Sequence, residues 1–70
     1  MDFRDRIECK PGVLQGKPVI KGTRISVELI LDRLSQGASA EDLLEAYPHL
    51  IQDDIFAALS YASAALSREE

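Results

Sequence analysis

The chain has 70 residues, a formal net charge of −4, one cysteine, one histidine and no tryptophan. At this length it holds one domain whose core buries only about 60% of the unfolded surface, and the single cysteine excludes an internal disulfide. One histidine and one cysteine fall short of the four nitrogen or sulfur ligands of a structural zinc site, so the core is expected to suffice by itself or to be completed by a second copy; a homodimer is expected, with no metal or other cofactor.

Residues 1–33 carry seven cations and five carboxylates, whereas residues 34–70 carry only Arg68 against seven carboxylates. The chain is therefore two-ended, mildly basic in front and acidic behind. A domain that grips DNA alone is normally basic, because much of its affinity comes from phosphate contacts. The opening MDFRDRIECK is charged throughout, unlike a signal peptide. The longest apolar run, IFAAL at 55–59, is far too short to span a bilayer. These features predict a cytoplasmic protein with no membrane association and a reduced thiol at Cys9.

In chain order, residues 1–25 are predicted to form an extended or β segment, with 7–25 hairpin-like and not helical. IECK (7–10) alternates apolar and polar residues, Pro11-Gly12 is a turn, and Val19-Ile20 is a β-branched pair. Lys21-Gly22-Thr23 reads as a second turn, followed by a last extended piece at Thr23–Ile25. A first helix is predicted over 26–36. Ser26 caps it, Val27, Ile30, Leu31 and Leu34 form one apolar stripe, and Gly37 ends it in a left-handed conformation.

A second, short helix spans 39–47. Ser39 and Asp42 fit a loose capping box, Leu43, Leu44 and Tyr47 supply the inner face, and Pro48 limits its length. The third helix spans 52–68. Asp53 and Asp54 suit its first turn, where the backbone dipole favours negative charge, and Leu50 and Ile55 are placed as a hydrophobic staple. Its inner face is predicted as Ile55, Leu59, Ala62 and Leu66, with Ala58 and Ala65 beside them, Phe56 and Tyr61 off that stripe, and alanines inviting a close neighbour. The expected fold is mainly α: a tri-helical, homeodomain-like helix-turn-helix, its turn at Pro48–Leu50, preceded by a short β-hairpin or extended β arm.

The chain offers little catalytic chemistry. GVLQGK (12–17) has three residues between its glycines where a phosphate loop has four, and Pro18 follows the lysine where a serine or threonine is needed. Cys9 is read as a small apolar residue and His49 as a solvated turn residue. Glu41, Glu45, Asp42, Asp53 and Asp54 lack the histidines or apolar pocket that would tune them. No enzyme is expected. Lys17, Lys21 and Arg24 are candidate phosphate contacts, as a basic arm beside a helix-turn-helix; the alternative is a solvated hairpin whose charges protect an edge strand. Gln52 is the candidate base-edge contact, although Asp53 and Asp54 beside it would repel phosphates. Phe56 and Tyr61 either complete the core or face a partner.

GKPVIKGTRISV, followed by LSQGASAEDLLEAYPHL and DDIFAALSYA, resembles the bacterial domain-of-unknown-function family 433 over about residues 5–66. The resemblance implies a small antitoxin of the VapB type, partnered with a PIN-like ribonuclease toxin and contacting promoter DNA as a complex. Relatives of this kind often carry Thr or Ser where this chain has Ile51, which cannot cap by its side chain, so the third helix is expected to start more weakly by about 1 kcal/mol. The chain ends at SREE, leaving little for a tail that wraps the toxin. Arg68 and the front cations are the candidates for reaching a toxin's metal-binding carboxylates; alternatively the acidic half mimics RNA charge. The competing reading is a protein-interaction and dimerisation module that binds no DNA.

Overall fold

The computed structural model describes residues 3–67. Strands β1 (Ile7–Glu8) and β2 (Val19–Ile20) pair antiparallel, with Ile7 opposite Ile20 and Glu8 opposite Val19. Helices α1 (Val27–Ser35), α2 (Ala40–Ala46) and α3 (Gln52–Ser67) follow. The fold is mainly α with a small β element in front, and α2, the turn and α3 follow in helix-turn-helix order.

The front segment is built into α1. Ile20 N–H donates to Ile25 O at 2.9 Å, Val19 bridges Ser26, and Val27 N–H, one of the orphan donors of a helix start, donates to Pro18 O at 3.0 Å. Thr23 ties the intervening turn: its hydroxyl donates to Ile20 O at 2.8 Å and accepts from Ile25 N–H at 3.0 Å. Gly22 sits there at φ +78°, a conformation L side chains resist. GKPVIKGTRISV is thus a socket that fixes the angle at which α1 begins.

Local signals set the helix ends. Ser26 accepts from Leu29 N–H, and Ser39 and Asp42 form a reciprocal capping box. After α1, Gly37 N–H donates to Leu34 O and Ala38 N–H to Arg33 O, both at 3.1 Å, with Gly37 at φ +99°. This is the double bond pattern that closes a helix on a left-handed residue. The core joins Ile20, Val27, Ile30, Leu43, Leu50, Ile55 and Ala58, so every helix and β2 contribute. Leu50 and Ile55 are both buried in it, on either side of the start of α3, as a staple requires.

Three expectations change. The front segment is not extended throughout: Phe3–Asp5 form a single 3-10 turn, and Leu14 (φ 47°), Gln15 (φ 59°) and Gly16 (φ 82°) make a left-handed turn that reverses the chain between the strands. Cys9 is exposed and contributes nothing to the core. The inner face of α3 is not Ile55–Leu59–Ala62–Leu66. Asp54, Ile55, Ala57 and Ala58 are buried, Tyr61 packs on the core, and Leu59 and Leu66 are 44% and 65% exposed. With apolar residues on all sides, α3 has a weak directional pattern, so a polar contact fixes its rotation, as described next.

Candidate interaction surfaces

That contact joins the front segment to the first turn of α3. Asp54 is only 6% exposed. Its Oδ1 accepts from Arg6 Nη1 at 3.1 Å and its Oδ2 from Ile51 N–H at 3.0 Å, while Arg6 Nη2 also lies 3.6 Å from Asp53. Turning Asp54 inward carries Ala58 and Tyr61, one and two turns on, to the same side. Phe3 then meets Tyr61 edge to face at a centroid distance of 5.3 Å. Tyr61, expected off the main stripe, is therefore held on the inner side. Asp54 also replaces half of the cap that Ile51 cannot form, by accepting the Ile51 N–H from the third helical position. Sequence reading missed both Arg6 and the inward role of Asp54; the one local hint is an acid three residues after an apolar residue at a helix start.

The opposite face of α3 presents Gln52, Phe56, Leu59, Ser63 and Leu66 at helical spacing, all exposed. Phe56 is 46% exposed, and Ile51 just before the helix is 50% exposed. No residue from 55 to 67 is charged. Gln52 and Phe56 thus share the outward face, Tyr61 lies on the other side, and Arg68 falls outside the described residues.

The predicted phosphate contacts separate. Lys17 Nζ is 3.1 Å from Glu28 Oε2, an exposed pair that ties the front segment to α1. Lys21 and Arg24 stay exposed in the turn before α1. Arg24 and the exposed His49 line one depression of about 370 Å³ with Gly22, Thr23 and Ile25. Asp53 and Asp54 both pair with Arg6, which lowers the repulsion expected where α3 begins.

Glu8 braces the same turn. Its Oε2 accepts from Gly22 N–H at 3.0 Å, and Lys10 lies 3.7 Å from Oε1. The Gly22 hydrogen bond, partly opposed by desolvation and helped by Lys10 and Lys21, holds its carboxyl below the ordinary value of 4.5. A carboxylate with a depressed folded pKa contributes stability above its unfolded pKa and loses it as pH falls through the folded one. Carbon-detected NMR titration should therefore place the Glu8 midpoint below 4.5, and Glu8→Gln should flatten that part of the stability–pH curve; an ordinary midpoint would contradict the contact.

Between α1 and α3 runs an apolar groove of about 570 Å³, lined by Pro18, Leu31, Tyr61, Ala62, Ala65 and Leu66 among others. A second depression of about 510 Å³ lies across Glu28 and Asp32, against Leu14 and Lys17. Among the described residues no group of three or more His, Cys, Asp or Glu is placed to hold a metal ion. No helix of the described residues is long and apolar enough to cross a membrane.

A β-braced trio of helices with exposed apolar faces defines a class of small mainly-α domain. The particular family follows from the sequence: the profile described as a protein of unknown function, DUF433, matches residues 7–62, and the chain belongs to that family. An uncharacterised protein of Sinorhizobium fredii, y4eO, is 38% identical over 61 residues, covering 87% of this chain and 28% of that protein. The crystal structure of a DUF433 member from Anabaena variabilis superposes with a TM-score of 0.86 at 34% identity, covering 93% of this chain and 64% of that one. The chain thus spans less than two thirds of either relative.

Proposed function

We propose that the chain is the antitoxin-like half of a toxin–antitoxin pair: a cytoplasmic homodimer, without catalytic activity, that covers a PIN-like ribonuclease and contacts promoter DNA as a complex. The observation that carries this reading is α3, apolar on both faces, with Phe56, Leu59 and Leu66 left uncovered. A helix that is apolar all round is normally buried, and an exposed apolar face of this kind is a place for association. The kind of partner rests on the family resemblance of its GKPVIKGTRISV and AYPHL segments. The outward face of α3 carries no charge, so two copies laid face to face bring no like charges together; the second copy is its occupant. Lys21 and Arg24, both exposed in the turn before α1, serve the phosphates, and Gln52 at the start of α3 serves base edges.

Sedimentation equilibrium should show a dimer that Phe56→Asp with Leu59→Asp converts to folded monomers. Anisotropy of promoter DNA, with the ribonuclease present, should show binding that weakens as salt rises and falls at least about tenfold in Lys21→Ala/Arg24→Ala. The second reading, an interaction module without DNA contact, is favoured by the net charge of −4 and the Lys17–Glu28 pair. Absence of DNA binding at low salt, with and without the partner, would leave that reading alone; a wild-type monomer would remove the dimer.

A further inference from the structure

The α1–α3 groove differs from the outward face of α3 in one respect: it has a charged wall. Leu31, Tyr61, Ala62, Ala65 and Leu66 form an apolar trough, and α3 contributes no charge to it. The α1 side carries Glu28 and Asp32, one helical turn apart. Glu28 Oε2 takes Lys17 and Asp32 Oδ2 takes Gln36 Nε2 at 3.2 Å, which leaves Glu28 Oε1 and Asp32 Oδ1 without partners among the described residues. From Glu28 to Ser35 this wall runs about 10 Å, two turns of helix. We infer that this groove docks a cationic amphipathic helix of a partner protein, its apolar side chains on the trough and a Lys or Arg against Glu28 and Asp32.

The charge pattern decides between occupants. A second copy laid on it through α3 offers an uncharged face, which would leave Glu28 Oε1 and Asp32 Oδ1 unmatched. A nucleic acid or an anionic bilayer would be repelled by them. A helix with apolar residues at i, i+3/i+4 and i+7 flanked by cations satisfies trough and wall together. The inference rests on the partner-binding reading above and names the chemistry of the docking segment.

The test is a titration of the ¹⁵N-labelled chain with two synthetic helical peptides of about four turns. Both carry leucines at that spacing, one flanked by lysines and the other by glutamates. The lysine peptide should bind, shifting the amides of Leu31, Ala62, Ala65 and Leu66. Glu28→Gln with Asp32→Asn should weaken it by about two- to thirtyfold, the range of two exposed ion pairs. Ala65→Arg, at an exposed position, should abolish binding while the circular dichroism melt stays cooperative. Equal binding of the glutamate peptide, shifts confined to Phe56 and Leu59, or a dimer dissociated by Ala65→Arg but not by Phe56→Asp would each overturn the inference. A groove that takes no peptide while the ribonuclease still binds sinks this proposal and spares the toxin reading; peptide binding without ribonuclease recognition does the reverse.

Discussion

Asp54→Ala should destabilise the domain by about 3 kcal/mol, the loss of a charge-assisted hydrogen bond to Arg6 together with the acceptor that caps the start of α3. A domain of this length holds only about 4–10 kcal/mol in total, so its melting temperature should drop by more than about 10 °C. The size of the effect follows from three roles in one carboxylate: it receives Arg6, it receives the Ile51 N–H, and it sets the rotation of α3. Asp54→Asn keeps an acceptor for the Ile51 N–H but loses the charge, and should cost about half as much. Arg6→Ala should cost about 2–3 kcal/mol, because it leaves the Asp54 carboxylate, only 6% exposed, without its cation. Urea denaturation of the two single alanine variants and the double variant gives the coupling. Near-additive losses would show that Arg6 and Asp54 do not act as a pair.

Ile30→Ala should cost about 3–4 kcal/mol and leave little folded protein at physiological temperature, whereas Ile30→Val should cost about 1 kcal/mol. Ile30 is fully buried, with no exposed surface, and lies in the core cluster with Val27, Leu43 and Ile55. The informative contrast is Phe56→Ala. Phe56 is the larger side chain, yet at 46% exposure its truncation should change monomer stability by less than about 1 kcal/mol. Measurement at concentrations low enough to keep the chain monomeric separates fold from association. A large loss at Phe56 in the monomer would mean that α3 is rotated the other way.

Much of this architecture could be read along the chain because its signals are local. Ser26, Gly37, Ser39 and Asp42 each act within four residues of themselves, and each does what its position predicts. Leu50 and Ile55 close their staple for the same reason. The misreadings arise where the deciding contact is distant or the pattern has no direction. Arg6 and Asp54 are 48 residues apart, so nothing near either one announces the pair; without it, Leu59 and Leu66 are as good an inner face for α3 as Ala58 and Tyr61. Leu14 and Gln15 adopt positive φ although neither residue favours it, because the return between two short strands demands the reversal there. Of the candidate site, the exposed cations of the Lys21–Arg24 turn were legible from type and spacing. The diversion of Lys17 to Glu28 and the groove between α1 and α3 needed the packed helices.

The central claim is that this fold works by covering another macromolecule. The most direct measurement is a titration of a PIN-like ribonuclease, the partner proposed above, followed by RNA cleavage and by calorimetry on the same samples. Stoichiometric loss of cleavage, with a heat of binding that disappears in the folded Ala65→Arg variant, is the predicted result. A ribonuclease that cleaves at full rate and gives no heat with a saturating excess of the wild-type chain would contradict the account.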